Sequence, residues 1–287
     1  MTRITVLGGY GLLGAELCPA LVRAGHEVAQ QGRGENAAFR LNPLDSEALK
    51  KFVDEQEPDV LVNLIAETNV DACEAHTERA FIANVSCVES IAAVTRRSLV
   101  HLIQVSTDQV YSGPGPHSET KPLPCNTYGL TKYAGELVAA TANATILRTN
   151  FVGRSCKPGR SSLTDWLVSS IIGRREITVF EDVLFAPLHI SVLCALIEKA
   201  VQIRPPGIFN LGCKDGLSKA DFAFELAGRL GLDTSIVRRG RSQDIAGRAR
   251  RPSDMRMVVD RIENALSIVA PSVQSTLDLL AEEYRDC

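Results

Sequence analysis

A glycine-rich turn near the N-terminus constrains the fold of this chain more than any other sequence feature. Residues 4–7 form a short, mainly apolar segment that predicts a buried strand, and an apolar pattern of helical period runs from 11 to 24. Between them, Gly8, Gly11 and Gly14 fit the spacing G-x-x-G-x-x-G. Glycine permits close backbone approach, and a helix N-terminus offers free N–H groups to phosphate. This context predicts a pyrophosphate-binding turn, and a turn that merely ends a strand fits it less well. The predicted cofactor-binding residues here are Gly8, Tyr10, Gly11, Leu12, Leu13 and Gly14.

The alternation of short apolar segments with helical patterns continues through the first half of the chain. It predicts an α/β fold, a doubly wound parallel Rossmann sheet with a smaller interleaved substrate-binding lobe. Residues 1–150 form the predicted dinucleotide-binding domain, to which 176–203 return. Residues 151–175 and 204–258 form the predicted lobe, and 259–287 a C-terminal helical segment. Predicted strands are 4–7, 27–31, 59–66, 99–105 and 144–148; predicted helices are 11–24, 46–55, 77–96, 128–142, 166–172, 189–201 and 218–230.

Composition excludes several classes of protein. A net charge of −3 argues against nucleic acid as the main partner. The eight cysteines form no C-x-x-C pair, so neither a zinc cluster nor a disulfide scaffold is expected. No apolar run is long enough to span a bilayer, and the N-terminus lacks the pattern of a secretory leader. We therefore expect a cytoplasmic protein with reduced thiols, no membrane partner and no metal ligand cluster.

The end of the second predicted strand bears on which dinucleotide binds. An acid at this point holds the ribose of NAD, whereas an arginine accommodates the 2′-phosphate of NADP. Here the strand ends at Gln31 and Gly32 and is followed by Arg33, with no acid before Glu35. The sequence favours NADP(H) with Arg33 on the phosphate. NAD(H) stays possible, since Arg33 could equally be a solvated loop charge. Leu44 and Asp45 are expected to line the adenine pocket, although Asp45 could equally be only a helix cap.

A tyrosine and a lysine in the predicted helix 128–142 are candidate catalytic residues. Tyr128 and Lys132 are four residues apart and therefore share one helix face. An ammonium near a phenol lowers the pKa of the phenol, as acid–base work near neutrality requires. Thr107 follows the strand 99–105, and ligands bind at the carboxyl ends of strands in such sheets. Its hydroxyl is expected to hold a substrate carbonyl; Ser106 and Asp108 compete for this role, or form only a turn.

Three motifs resemble the extended short-chain dehydrogenase/reductase family: residues 8–14, 106–111 and 128–136. More narrowly, the chain is similar to the dTDP-4-dehydrorhamnose reductase family along essentially its whole length. The narrower resemblance rests on residues 58–63, 68–71, Asn84, 147–149, 207–212 and 250–252.

The resemblance implies a function and a set of residue roles. Tyr128 would be the proton donor, Lys132 its modulator and a ribose ligand, and Thr107 the hydroxyl that orients the carbonyl. Family members of this type use NADPH to reduce a nucleotide-activated 4-keto-6-deoxy sugar and form homodimers. By the same resemblance, Asn84 supports the geometry of the site. The residues implied to border the nicotinamide half of the cofactor are Ile65, Ala66 and Thr68.

The chain departs from the family pattern near the expected sugar nucleotide. Gln109 stands where the family has an aromatic residue, Phe151 stands where it has a tryptophan, and 253–256 lack the usual asparagine. These departures put the rhamnose-type substrate in doubt. Guanidinium groups grip phosphate bidentately, and among several arginines between 238 and 251 we choose Arg251 because the family match falls there. The predicted substrate-binding residues are Asp108, Asn150, Phe151 and Arg251.

Two other functions fit the same motifs. One is an epimerase or dehydratase with tightly held NAD; Asp108 is available, but no Asp-Glu pair follows it. The other is a non-catalytic, NADP-binding regulatory subunit resembling the beta subunit of methionine adenosyltransferase. The complete set of Thr107, Tyr128 and Lys132 argues against this last possibility.

Overall fold

The computed structural model describes residues 1–157, 159–245 and 247–285. Pro158, Ala246, Asp286 and Cys287 lie outside the described residues, and with them the end of the predicted C-terminal segment. The strands are β1 Arg3–Leu7, β2 Glu27–Gly32, β3 Phe39–Arg40, β4 Val60–Asn63, β5 His101–Thr107, β6 Ala144–Thr149, β7 Phe151–Val152, β8 Ile177–Phe180, β9 Leu184–Phe185, β10 Leu188–His189, β11 Gly207–Leu211, β12 Leu217–Ser218 and β13 Val237–Gly240. The α-helices are α1 Leu12–Arg23, α2 Ser46–Gln56, α3 Val70–Ala75, α4 Thr77–Phe81, α5 Cys87–Arg96, α6 Thr127–Ala139, α7 Leu163–Ile172, α8 Ile190–Ile203, α9 Lys219–Arg229, α10 Asp260–Leu266 and α11 Val273–Glu283.

A parallel sheet of seven strands forms the centre of the molecule, in the order β11-β6-β5-β4-β1-β2-β3. The chain moves outward from β1 in one direction through β2 and β3, then crosses to β4 and continues through β5 and β6. The carboxyl ends of β1 and β4 therefore flank a topological switch point, where ligands bind in such folds. Every residue of β4 and β6 is buried, because helices cover both faces. The predicted fold class is confirmed.

The strand that carries the site is displaced from its predicted position. We expected residues 99–105, but β5 runs to Thr107. Ser106 pairs with Arg148 and Thr107 with Thr149 in the ladder between β5 and β6. These two residues therefore belong to the sheet, and the alternative of a simple turn is wrong for Ser106, whereas Asp108 follows the end of the strand.

The predicted helix 77–96 is wrong in detail. A short helix, α3, precedes it, capped by the Asn69 side chain, which accepts a hydrogen bond from the Ala72 backbone at 3.0 Å. A π-helical turn, Ile82–Ser86, then separates α4 from α5. Asn84 lies in this turn and is buried, so the irregularity places an amide side chain inside the fold.

The predicted domain boundaries need correction at two strands. β11, assigned to the lobe, is hydrogen-bonded to β6 and forms an edge of the central sheet. Conversely, β8, assigned to the returning segment 176–203, pairs with β13 in a separate two-stranded sheet. The remaining small sheets join β7 with β10 and β9 with β12. Paired segments of two to five residues do not show in an apolar period, so the sequence pattern missed these pairings. The division into lobes otherwise stays a prediction.

Candidate active site

The glycine-rich turn between β1 and α1 has the geometry of an anion site. Gly8 has a φ of 76°, in the region that favours glycine. A Cβ on Gly14 would overlap the backbone of Gly9, so the turn packs against the first turn of α1. Gly11 precedes α1 without a side-chain cap, and the first turn of α1 carries no acid. Its N–H groups and the helix dipole therefore favour an anion such as a pyrophosphate. Leu12 and Leu13 anchor α1 in the apolar core, so their predicted role falls to their backbone.

Two glutamines hold this turn, and the sequence did not reveal their role. The buried Gln31 accepts a hydrogen bond from the Gly8 backbone at 3.0 Å and donates to the Leu41 carbonyl at 2.7 Å. Gln30 donates to the Gly9 carbonyl at 2.7 Å. In the sequence they stood out only as residues that are not acids. The available signal was a polar pair at the end of a strand that leads into a ligand-binding edge.

The predicted adenosine-side residues surround the end of β2. The Tyr10 hydroxyl accepts a hydrogen bond from the Ala38 backbone at 2.8 Å, which ties the glycine-rich turn to the loop 33–38. Arg33 is exposed in that loop. Asp45 caps α2 by accepting from the Ala48 backbone at 3.0 Å, and Leu44 beside it is exposed. The structure thus shows Asp45 as a helix cap, and contacts of Leu44 and Asp45 with adenine stay predictions.

Helix α6, which carries the candidate catalytic residues, packs through close backbone contacts. The Asn126 side chain caps it by accepting from the Gly129 backbone at 2.8 Å. A Cβ on Gly129 would overlap the Gln109 carbonyl oxygen, and a Cβ on Gly135 would overlap that of Asn84. Only glycine lets α6 approach its neighbours this closely. Tyr128 and Lys132 are both buried on the inward face, as the four-residue spacing predicts.

The electrostatics of the pair differ from the sequence-based expectation. The Lys132 ammonium donates to the Val105 carbonyl at 2.8 Å, and burial lowers its pKa to about 8 against the opposing charge of Glu136. Burial raises the pKa of Tyr128, although the neighbouring Thr107 hydroxyl acts in the opposite direction. The expected lowering of the Tyr128 pKa by Lys132 is not what the structure shows. Tyr128 is a phenol that firmly retains its proton.

Thr107 and Asp108 form a polar group beside Tyr128. The Thr107 hydroxyl donates to the Asp108 carboxylate at 3.2 Å and accepts from the Gln109 backbone at 3.2 Å. Asp108 is buried and also accepts from the Asn150 side chain at 2.6 Å. Burial raises the pKa of Asp108 to about 6, with the Asn150 hydrogen bond opposing that rise. The structure therefore brings Thr107, Asp108, Tyr128 and Asn150 together, as predicted for a site at the end of β5.

A buried ion pair supports this group from below. Arg148 and Glu136 pair at 2.6 Å, and their side chains are 1% and 0% exposed. The Ser106 hydroxyl donates to Glu136 at 2.5 Å, and Arg148 donates to the Tyr111 hydroxyl at 2.6 Å. Ser106 is thus committed to this ion pair, which leaves Thr107 as the hydroxyl near Tyr128. The sequence signal was two charged residues inside otherwise apolar elements, and the sequence analysis did not use it.

The loop after β4 is tied to α6 through Asn84. Its side chain accepts from the Glu67 backbone at 2.9 Å and donates to the Thr131 hydroxyl at 3.0 Å. Ile65 lies against the glycine-rich turn, since a Cβ on Gly8 would stand 3.1 Å from its side chain. Ala66 and Thr68 follow in the same loop and are progressively more exposed. These positions are compatible with the predicted nicotinamide border, which no contact in the structure tests.

The remaining substrate candidates are engaged in protein contacts. Arg251 pairs with Asp71 at 2.9 Å and also donates to the Ala249 carbonyl at 2.9 Å. Phe151 is half-buried in β7, against the main apolar core. Their contacts with substrate stay predictions.

Neither a metal cluster nor a membrane span is found in the described part of the chain. Over residues 1–157, 159–245 and 247–285, His, Cys, Asp and Glu side chains do not gather in groups of three or more that could hold a metal ion. Within the same ranges, the helices are too short or too polar to cross a bilayer.

Comparison with known proteins places the chain in a family. The model of the RmlD substrate binding domain family matches residues 1–286. A dTDP-4-dehydrorhamnose reductase from Streptomyces griseus is 31% identical over 87% of this chain and 83% of the relative. The spore coat polysaccharide biosynthesis protein SpsK from Bacillus subtilis (strain 168) is 30% identical over 83% of this chain and 82% of the relative.

Solved structures agree on the fold. A dTDP-4-dehydrorhamnose reductase from Bacillus anthracis str. Ames, in complex with NADP, superposes with a TM-score of 0.88 at 22% identity, covering 98% of this chain and 99% of that one. The predicted resemblance and the class of enzyme, an NAD(P)-dependent oxidoreductase, are confirmed at the level of the family. The chain belongs to the RmlD substrate binding domain family, within the dTDP-4-dehydrorhamnose reductase-like branch of the extended short-chain dehydrogenases/reductases.

Proposed function

We propose that this protein uses NADPH to reduce the C4 keto group of a nucleotide-activated 4-keto-6-deoxy sugar. The observation that carries the proposal is the placement of Tyr128 beside Thr107 at the carboxyl end of β5. β4 alone separates that strand from β1, whose carboxyl end leads into the glycine-rich turn. An acid and a dinucleotide-binding turn thus share one edge of the sheet, as hydride transfer to a carbonyl requires. The relatives named as dTDP-4-dehydrorhamnose reductases support the substrate class.

Tyr128 is suited to the acid role in the direction of reduction. Because burial raises its pKa, the phenol holds its proton at neutral pH and can give it to the developing alkoxide. The Lys132 ammonium, held by its hydrogen bond to the Val105 carbonyl, lies on the same helix face as Tyr128. Its positive charge stabilises the phenolate left after proton transfer. Thr107 orients the sugar carbonyl, and its hydroxyl must then exchange the Asp108 carboxylate for the substrate oxygen.

The cofactor would be held by the glycine-rich turn and supplies the hydride when bound. The uncapped N-terminus of α1 and the contact of Gly14 with the Gly9 backbone fit a pyrophosphate. Arg33, exposed in the loop after β2, and the glutamines in place of an acid support NADPH over NADH. A cytoplasmic homodimer is the matching expectation for assembly and location, and sedimentation analysis would check the dimer.

The decisive experiment compares Tyr128→Phe with the wild type and with Tyr133→Phe. Tyr133 lies one turn further along α6, packs against the small apolar cluster of Val110, Tyr111 and Met257, and serves as the matched control. With NADPH and a dTDP-4-keto-6-deoxyhexose made in situ, we expect wild type and Tyr133→Phe to oxidise NADPH. Tyr128→Phe should lose roughly a hundredfold or more in rate, the size of general acid catalysis.

Other outcomes separate the rival functions. If folded wild-type protein binds NADPH but oxidises none with this ketosugar, the proposed reaction is wrong as written. Protein that purifies with tightly bound NAD would then indicate an epimerase or dehydratase. Co-purification with a larger enzyme, without turnover on any ketosugar, would indicate the regulatory subunit.

A further inference from the structure

A basic loop from the second half of the chain reaches the glycine-rich turn. The loop connects β7 to α7, and the Lys157 ammonium donates a hydrogen bond to the carbonyl oxygen of Tyr10. Tyr10 stands in the middle of the turn, between Gly8 and Gly11. The second half of the chain therefore contacts the turn that is proposed to bind a pyrophosphate.

Hydrogen bonds fix the backbone of the loop at Ser155 and Lys157. Ser155 donates its backbone N–H to the Asp165 carboxylate at 3.0 Å, and Lys157 donates its own to the Ser155 hydroxyl at 3.2 Å. Asp165 also forms the capping box of α7 with Ser162 and accepts from the Tyr284 hydroxyl at 2.6 Å. Lys157 is therefore held relative to α7 and α11, two elements outside the dinucleotide-binding half.

Lys157 has no direct ion-pair partner among the described residues, although Glu16 of α1 lies beside the neighbouring Cys156. Within the ranges that the structure describes, no carboxylate lies within ion-pair distance of its ammonium, and its side-chain hydrogen bond goes to a neutral carbonyl. The positive end of the α1 dipole is close by, and α1 has no acid in its first turn. A cation beside a helix N-terminus is electrostatically unfavourable unless an anion binds between them. A dinucleotide pyrophosphate bound on the turn is such an anion.

We propose that Lys157 is a pyrophosphate ligand contributed by the second half of the chain. On binding, its ammonium exchanges the Tyr10 carbonyl for a phosphate oxygen, so that the loop 154–162 and the glycine-rich turn hold the dinucleotide together. This inference rests on the proposed function only in requiring that the turn binds a dinucleotide. It assigns cofactor affinity to a residue outside the glycine motif.

The test measures binding rather than activity. Dissociation constants for NADPH and NADH are determined by fluorescence titration of wild type, Lys157→Met, Lys157→Arg and Arg160→Met at low salt. Arg160 is exposed in the same loop and is the matched control for surface charge. We expect Lys157→Met to weaken both dinucleotides about tenfold, the effect of losing one charge-assisted hydrogen bond. Lys157→Arg should retain most of the affinity, and Arg160→Met should match wild type. Added salt should narrow the difference in affinity between wild type and Lys157→Met.

Three results would overturn the proposal. Equal affinities of Lys157→Met and wild type would show that the ammonium does not contact the cofactor. A loss confined to NADPH would place Lys157 on the 2′-phosphate, and an equal loss in Arg160→Met would reduce the effect to general surface charge. The melting temperatures of the variants without ligand show whether the loop has unfolded. If it has unfolded in Lys157→Met, the dinucleotide affinity of Lys157→Arg relative to wild type decides whether the proposal holds. If wild type binds neither dinucleotide, the cofactor assignment itself fails, which is a distinct outcome.

Discussion

The two halves of this molecule fix their functional residues by different means. In the first half, backbone packs directly on backbone: Gly14 on Gly9, Gly129 on Gln109 and Gly135 on Asn84. In the second half, the candidate substrate residue Arg251 is instead held by an ion pair with a residue of the first half. Arg251 pairs with Asp71, and their side chains are 21% and 43% exposed. Backbone contacts fix the positions of the residues that make them, whereas exposed ion pairs can rearrange when a ligand binds or a neighbouring residue is substituted.

This difference explains why the sequence identifies the cofactor-binding turn clearly and the substrate-binding residues poorly. A position where backbone contacts backbone requires glycine, so the sequence shows it directly. Two residues on one helix face are likewise recognised by their fixed spacing of four. An ion pair such as Arg239 with Asp221 could be built from many other residues at many other positions. We therefore expect the proposed substrate contacts to change more readily than the proposed cofactor turn.

The largest expected effect on NADPH binding comes from a methyl group added at Gly14, compared with one added at Gly228 in the second half. Gly14→Ala places a Cβ on the Gly9 backbone, which cannot yield as a flexible side chain would. We expect it to abolish measurable NADPH binding and to lower the free energy of unfolding by roughly 1–3 kcal/mol, as overpacking does. Gly228→Ala in α9 meets nothing within 4 Å, so it should stabilise the protein by about 0.5–1 kcal/mol. Urea denaturation and NADPH titration measure both. Tight NADPH binding by Gly14→Ala would contradict the backbone argument.

The second expected effect compares a buried ion pair with a half-exposed one. Glu136→Gln leaves Arg148 buried without its counter-charge, which typically costs about 3–5 kcal/mol. Asp71→Asn breaks the more exposed pair with Arg251, for which we expect less than about 1 kcal/mol. Urea denaturation of the two variants gives the comparison directly. If Asp71→Asn destabilised the protein as much as Glu136→Gln, the ion pairs of the second half would be structural, and the contrast between the halves would be lost.

The sequence predicted the fold, and it singled out the candidate catalytic residues because their signals are periodic or fixed in spacing. Gly8, Gly11 and Gly14 stand at constant intervals, and Tyr128 and Lys132 share a helix face whatever surrounds them. The sequence did not predict which residues hold them. Gln31, Glu136 and Arg148 act through partners that are distant in the chain, and only the folded sheet brings those partners together.

The position of β11 and β8 shows the same limit at the level of the fold. Both are short strands with similar composition, yet one extends the central sheet and the other pairs with β13. Which neighbour a short strand finds depends on the path of the intervening chain, and a local pattern does not encode that path. The sequence also did not predict the direction of the pKa shift of Tyr128. That shift depends on burial, which the four-residue spacing does not reveal.

The smallest expected effect uses pH to separate the two halves within one enzyme. Burial lowers the pKa of Lys132 to about 8, so its ammonium loses its proton as the pH rises through that value. If the ammonium stabilises the Tyr128 phenolate, kcat/KM for the ketosugar should fall on the alkaline side by up to about tenfold per pH unit. The guanidinium of Arg251 keeps its charge throughout this range. The affinity for dTDP alone, measured by calorimetry in the same buffers, should therefore stay constant while kcat/KM falls.

If the affinity for dTDP and kcat/KM fell together, the alkaline change would lie in nucleotide binding. If kcat/KM did not change with pH, Lys132 ionisation would have no part in the mechanism. Only the predicted combination assigns the titrating charge to Lys132 in the first half and the permanent charge to the proposed substrate residue Arg251 in the second.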